Sequence, residues 1–308
     1  MRALVTGGSG FIGSHVVDSL RRDGVQVRNF DARPSPHHDP AEVEQAIGDL
    51  TDADALTQAA QRCDAIVHLA AVADVADVVK EPARASDVNV GGTSAVLEAA
   101  RRAEVARVVY ASTIWVYNGL EGPVDEDTQP PPPAHFYTAT KLAGEIYCRS
   151  YADTFGLDCT ILRFGIPYGP RAREAAVVPS FVLRALAGEP LTIAGSGEQS
   201  RRFVFVEDLA DGVACALATE DSSNRIYNLV GDESVTILQI AEIVRELIGD
   251  VEIVHTESRT ADFRGAEVSG ARAASELGWT AGTPFREGVR RYLEWLRATS
   301  ANGSGAAG

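Results

Sequence analysis

The chain has 308 residues, enough for one large or two medium domains to bury a full core without disulfide or metal staples. Its 45% hydrophobic and 23% charged residues exclude disordered, collagen-like and coiled-coil classes. Twenty-eight basic against 43 acidic side chains leave a net charge of -15, which repels nucleic acid and anionic membrane surfaces, so any phosphate must be held by local devices such as helix N-termini.

In chain order, residues 2–6 (R-A-L-V-T) form an apolar run ending in G-G-S-G-F-I-G and passing into a helical pattern at Val16, Val17 and Leu20. This is strand, glycine turn, helix. Val25–Phe30 predicts a second strand ending at Asp31, and Ala65–Leu69 a third, with helices over Asp54–Arg62 and Ser94–Ala103. Arg107–Ala111 gives the next strand, and the four prolines from Pro130 to Pro133 exclude helix and strand after it. A helix over Tyr137–Phe155 and a strand over Cys159–Phe164 complete an alternation that predicts an α/β, doubly wound parallel sheet.

Beyond Tyr168-Gly169-Pro170 the pattern becomes irregular: a helix near Val178–Ala187, a strand Leu191–Ile193 and the turn Gly195-Ser196-Gly197. Phe203–Val206, a helix Leu209–Ala218 and a strand Ile226–Val230 read as the α/β pattern resuming, so the second domain is expected to be discontinuous. Helix Ile237–Ile248, strand Val251–Val254 and helices Arg272–Leu277 and Phe285–Arg297 finish it. The expected division is 1–165 plus about 203–230 for the larger domain, about 166–202 plus 231–298 for the smaller, and a flexible tail at 299–308. With no run of roughly 18 apolar residues and no basic, apolar leader, no membrane span and a cytoplasmic location are expected. Cys63, Cys148, Cys159 and Cys215 lack zinc-site spacing and read as free, mostly buried thiols; the six histidines show no ligand spacing, so no metal is expected.

Glycines at 7, 10 and 13 follow a strand and open a helix, the context in which backbone approaches a pyrophosphate on a helix N-terminus. Asp31, 18 residues past Gly13, can accept both hydroxyls of an adenosine ribose and would repel a 2'-phosphate, which favours NAD over NADP; the nearby Arg33 reads as a solvated loop residue. Tyr137 and Lys141 lie four apart, hence on one helix face, and Lys141 is one of only two lysines. A free phenol has a pKa of about 10, and an adjacent ammonium with a nicotinium cation would favour the phenolate, making a base near neutrality. Ser112 and Thr113, just past a strand, supply a hydroxyl for the same substrate oxygen.

T-G-G-S-G-F-I-G, Gly48-Asp49-Leu50, His68-Leu69-Ala70-Ala71, Asn89-Val90-Gly91-Gly92-Thr93, Ala111-Ser112-Thr113, Tyr137/Lys141, Leu162-Arg163-Phe164, Tyr168-Gly169-Pro170 and Arg202-Phe203-Val204-Phe205-Val206-Glu207-Asp208-Leu209 occur in one order over nearly the whole chain. In these the sequence resembles the extended short-chain dehydrogenase/reductase family, the NAD-dependent sugar-nucleotide epimerases and dehydratases, most of all the UDP-sugar 4-epimerases. The resemblance implies a Rossmann-type sheet with a smaller α+β substrate domain, NAD as cofactor, a UDP-sugar as substrate and a homodimer. It implies catalytic roles for Thr113, Tyr137 and Lys141. Cofactor contacts are implied for Gly7, Gly10, Phe11, Ile12, Gly13, Asp31, Asp49, Leu50, Leu69, Ala70, Ala71, Asn89, Ser112, Tyr137, Lys141, Phe164 and Ile166, and substrate contacts for Thr113, Tyr137, Arg173, Ile193, Arg201, Arg259 and Asp262.

Dehydratases and uronate decarboxylases of this family carry a carboxylate shortly after the catalytic Ser or Thr, where this chain has Ile114 and Trp115. That favours a 4-epimerase; the alternatives are an NAD(P)-dependent 4-ketoreductase or dehydratase of a nucleotide deoxysugar, or a non-catalytic dinucleotide sensor. Ile166 stands where the family often has an asparagine, and Arg173, three places past Pro170, matches an arginine that faces the sugar carboxylate in uronate 4-epimerases. The expectation leans slightly to a uronate; an Arg173 paired within the protein would instead indicate UDP-glucose and UDP-galactose.

Overall fold

The computed structural model describes residues 1–257 and 266–303. Seven parallel strands form the main sheet in the order Ile226–Leu229, Asp158–Phe164, Arg107–Thr113, Ala65–His68, Arg2–Thr6, Gln26–Asp31 and Glu44–Ile47. The central strands are apolar on both faces, as a sheet covered on both sides requires. On one side Ala3, Val5, Val67, Val109 and Leu162 pack with Val16, Val17 and Leu20 of the helix Phe11–Arg22 and with Leu209, Val213 and Leu217 of the helix Val206–Ala218. On the other, Leu4, Ile66, Val108, Tyr110 and Ile161 meet Leu56 of Ala53–Ala60, Val96 and Leu97 of Gly92–Arg102, and Cys148 of Phe136–Phe155.

The chain moves outward from Arg2–Thr6 to Glu44–Ile47 and then returns to the opposite flank at Ala65–His68. Strand order therefore reverses between Arg2–Thr6 and Ala65–His68, whose C-terminal ends open the crevice in which doubly wound sheets bind ligands.

A second layer lies beside the sheet. Ser200–Phe205 pairs antiparallel with Ser234–Thr236 and parallel with Ile166–Tyr168, and Leu191–Ala194 pairs with Ile253–Thr256. Tyr168, Phe181, Leu191, Phe203, Phe205, Ile240, Phe285 and Tyr292 form its apolar core. A further strand pair joins Pro123–Val124 to Glu267–Val268.

The structure corrects three expectations. Phe203–Val206 does not resume the main sheet: that stretch belongs to the three-stranded sheet as far as Phe205, and the chain regains the main sheet only at Ile226–Leu229. Glu44–Ile47 is an unforeseen edge strand whose residues are all partly or fully exposed, so it lacks the apolar signature of its neighbours. The last helix runs from Phe285 to Gly303, past residue 299 where the tail was expected to start. Among the described residues no helix is long and apolar enough to cross a membrane, no cluster of His, Cys, Asp and Glu could hold a metal, and all four cysteines are free.

Candidate active site

The crevice begins at the turn Gly7–Gly10. Gly7 has φ +77°, and a Cβ there would stand 2.8 Å from the Ala70 backbone; a Cβ on Gly13 would stand 2.1 Å from the Gly7 carbonyl oxygen. These glycines let the turn, the helix and the segment Leu69–Ala71 meet without side chains between them. Gly10 caps the helix Phe11–Arg22 in extended conformation without any side-chain hydrogen bond, which leaves the first-turn N–H groups unoccupied by protein side chains. Phe11 and Ile12 in that turn are partly buried. The Asp31 carboxylate, at the end of its strand, accepts from the Ser9 N–H at 3.1 Å and the Arg33 N–H at 3.4 Å, while the Arg33 residue is exposed. The glycine-lined approach, open helix terminus and strand-end carboxylate fit a dinucleotide: Gly7, Gly10 and Gly13 would admit its pyrophosphate and Asp31 its ribose.

Two other residues assigned to the cofactor hold the scaffold with their side chains. The Asp49 carboxylate accepts from Thr51 N and Oγ1 at 2.8 and 2.7 Å, which holds it below the usual carboxylate range. Leu50 is buried against Gly92, where a Cβ would meet the Leu50 Cδ2 at 2.6 Å.

From the glycine turn a buried hydrogen-bond chain reaches the candidate catalytic helix. Thr6 Oγ1 lies 2.7 Å from His68 Nδ1, and His68 Nε2 lies 3.0 Å from Thr93 Oγ1. Thr93 Oγ1 donates to the Asn89 carbonyl at 2.6 Å, so it accepts from His68 Nε2–H, and Nδ1 accepts from Thr6. Burial, reinforced by the Lys141 charge, pushes His68 down to about 3, keeping the ring neutral. Asn89 sits in a π-helical turn, Asp87–Gly91; its amide accepts from Val72 N at 2.7 Å and donates to Val72 O and Thr140 Oγ1, both at 3.0 Å. Thr140 Oγ1 then donates to the Tyr137 carbonyl at 2.7 Å.

Tyr137 lies in the first turn of Phe136–Phe155, and Lys141 one turn later is 4% exposed. The Lys141 ammonium donates to the Ala111 carbonyl at 2.8 Å, on the strand that ends in Ser112 and Thr113. Burial pushes the lysine down to about 8 and the Tyr137 phenol up to about 12. The expected lowering of the phenol by Lys141 is thus not present in the protein alone, because the ammonium is turned to the Ala111 carbonyl and desolvation dominates. Thr113 Oγ1 accepts from the Trp115 N–H at 3.2 Å. Ser112 Oγ donates to Glu145 at 2.5 Å, and Glu145 is held by two hydrogen bonds from Arg163, at 2.9 and 2.7 Å, in a pair whose side chains are 1% and 2% exposed. Arg163 also donates to the Tyr117 hydroxyl at 2.6 Å. Sequence reasoning passed over Glu145, although it continues the four-residue spacing of Tyr137 and Lys141.

The other residues assigned to substrate come from separate segments of the chain. Arg173 is 58% exposed and paired with Asp74, the N-cap of Val75–Lys80. Ile193 is fully buried in the smaller core, so its side chain has no face left for a ligand. Arg201 donates to the Ser200 carbonyl at 3.0 Å; of the residues assigned to the cofactor, Phe164 is buried at its strand end and Ile166 opens a short strand, partly exposed. Arg259 and Asp262 lie outside the described residues.

The model of the NAD dependent epimerase/dehydratase family matches residues 3–230. A UDP-glucose 4-epimerase of Mycolicibacterium smegmatis is 34% identical, over 97% of this chain and 100% of its own. UDP-glucuronic acid decarboxylase 1 of Xenopus tropicalis is 32% identical, over 96% of this chain and 72% of its own. MoeE5, solved in complex with UDP-glucuronic acid and NAD, superposes with a TM-score of 0.89 at 32% identity, covering 97% of this chain and 100% of its own. With the glycine turn, the strand-end aspartate and the Tyr137/Lys141 helix gathered around one crevice of a Rossmann-type sheet, the chain belongs to the NAD dependent epimerase/dehydratase family and uses NAD.

Proposed function

We propose that this protein is a UDP-sugar 4-epimerase, acting as a homodimer in the cytoplasm, in which Tyr137 is the base, Thr113 positions the reacting oxygen and Lys141 supplies positive charge. NAD, held by the glycine turn and Asp31, would supply reversible hydride acceptance at C4 of the sugar, so that the product would keep the oxidation level of the substrate. Tyr137 takes the proton of the 4-hydroxyl as the C4–H bond breaks, and gives it back when the transient 4-ketose is reduced on its other face. Thr113 hydrogen-bonds the same oxygen. A phenol held near 12 by burial becomes a base only when positive charge stands beside it, so Lys141 and the oxidised nicotinamide are both required.

The observation that carries this reading is the absence, among the described residues, of an available acid beside Thr113. Ile114 and Trp115 follow it, and the carboxylate nearest in the network, Glu145, is committed to Ser112 and Arg163. Elimination or decarboxylation needs a group to move a proton at carbon, whereas epimerisation needs one base and one hydroxyl. For the sugar, the pairing of Arg173 with Asp74 replaces the lean towards a uronate with UDP-glucose and UDP-galactose, since an arginine engaged by the protein does not select a C6 carboxylate.

The test is to incubate the protein with UDP-glucose, UDP-galactose and UDP-glucuronate and follow the sugar by proton NMR. Interconversion of the two hexoses without net change in NADH supports the reading. A 4-keto-6-deoxy sugar, a decarboxylated pentose or stoichiometric consumption of NADH would replace it with a dehydratase, decarboxylase or ketoreductase. Sedimentation equilibrium tests the homodimer.

A further inference from the structure

Lys141 is an ammonium in a place that ordinarily neutralises one. It is 4% exposed, and among the described residues no carboxylate pairs with it, because Glu145, one turn along the same helix, is held by Arg163. A buried charge without a counter-ion needs another source of stabilisation. The Lys141 Nζ lies 5.1 Å from the centroid of the Tyr110 ring, within the range of a cation–π contact.

Tyr110 is itself held in place on three sides. It is fully buried, its hydroxyl donates to the Lys141 carbonyl at 3.2 Å, and its ring centroid lies 5.7 Å from that of His68. The fit against the helix is close enough that a Cβ on Gly144 would stand 2.1 Å from the Tyr110 hydroxyl oxygen. One side chain thus grips Lys141 twice, by its backbone and by its charge.

We propose that Tyr110 is a positioning residue of the catalytic pair, its ring face keeping the Lys141 ammonium charged and seated on the Ala111 carbonyl. The inference rests on the reading of Tyr137 and Lys141 given above. Among the described residues, the titratable groups packed around Lys141 include no carboxylate free to pair with it. From the strand Ala65–His68 comes the neutral His68; from its own helix come Tyr137, the paired Glu145 and the Cys148 thiol, which is pushed far up; from Asp158–Phe164 come Arg163, opposed by Glu145, and Cys159. Asp87–Gly91 contributes the uncharged Asn89 beside Thr140. Burial takes the lysine down to about 8 against the opposing, raising influence of Cys148, and loss of the ring face would lower it further.

Lys80 and Lys141 are the only lysines, so the NAD-loaded protein labelled with 15N at lysine Nζ gives two signals, with Lys80 as internal control. Tyr110→Phe keeps the ring face and is expected to leave the Lys141 titration close to wild type. Fluorinated phenylalanines at position 110 weaken the face with little change in volume, and the Lys141 midpoint is expected to fall stepwise, by about one pH unit at full fluorination. The alkaline limb of kcat should fall with it. A midpoint that ignores fluorination, in folded proteins with unchanged circular dichroism, overturns the proposal. The lysine titration needs no substrate, so a wild type inactive on every UDP-sugar would strike the epimerase reading while the midpoint still decides the role of Tyr110.

Discussion

On the sheet side of the crevice Thr6, His68, Asn89, Thr93 and Thr140 are each 3% exposed or less and are joined in one chain of hydrogen bonds, with Glu145 and Arg163 equally buried beside it. On the opposite side Arg173 is 58% exposed in an ion pair with an N-cap aspartate, and the turn Gly195–Gly197 has left-handed backbone at both its glycines. One side is fixed before any ligand arrives, and the other is built of exposed side chains on irregular backbone. Chemistry common to a family belongs on the first kind of surface and selectivity among substrates on the second, since loops on a rigid scaffold change without disturbing what the scaffold holds.

The largest effect should come from the fixed side. Tyr137→Phe removes the base but not the ring, and turnover should fall by about 10²- to 10⁴-fold with bound NAD unchanged, read by steady-state kinetics and cofactor extraction. Turnover within a few fold of wild type would move the base elsewhere. Glu145→Ala leaves the Arg163 guanidinium buried without its partner and should cost about 3 to 5 kcal/mol in urea unfolding. Replacing both residues with apolar ones of similar volume should recover much of that loss, which distinguishes an uncompensated charge from a simple packing defect.

Asp31→Ala removes a carboxylate expected to bind the ribose, and should narrow the preference for NAD over NADP by about 1.5 to 3 kcal/mol, roughly 10- to 150-fold, in calorimetric titration. Equal affinities in the wild type would hand the selection to Arg33. The smallest effect is expected on the exposed side: Arg173→Ala breaks a largely solvated pair, worth about 0 to 1 kcal/mol, and should leave both stability and the UDP-glucuronate to UDP-glucose ratio of kcat/KM nearly unchanged. A fall in that ratio of more than about 10-fold would show that the guanidinium exchanges Asp74 for a sugar carboxylate, which would weaken the contrast between the two sides.

Legibility in the sequence follows the same division. The glycine turn, the strands through the sheet centre and the helix of Tyr137 and Lys141 were readable because each is set by a local pattern of apolar periodicity or glycine placement. Glu44–Ile47 was hidden because an exposed edge strand has no apolar run, and Ile166–Tyr168 because Pro167 interrupts it. The Asp74 partner of Arg173 lies 99 residues away in the chain, and nothing local in the sequence marks the two as neighbours. The direction of the Lys141 ammonium was equally out of reach, since spacing places two residues on a helix face without saying which carbonyl opposes them. Ile193 shows the converse: the resemblance implies a substrate contact there, while its side chain is buried in the smaller core.

The chain from Thr6 to Tyr137 is not a proton wire. Thr93 directs its hydrogen to the Asn89 carbonyl and Thr140 directs its own to the Tyr137 carbonyl, and a peptide carbonyl passes nothing on. The chain is therefore broken into two dead ends, and the neutral His68 between Thr6 and Thr93 has no free nitrogen with which to bridge them. In the proposed reaction the phenol returns its proton to the sugar oxygen, and among the described residues these hydrogen bonds offer no relay from it into the interior of the sheet.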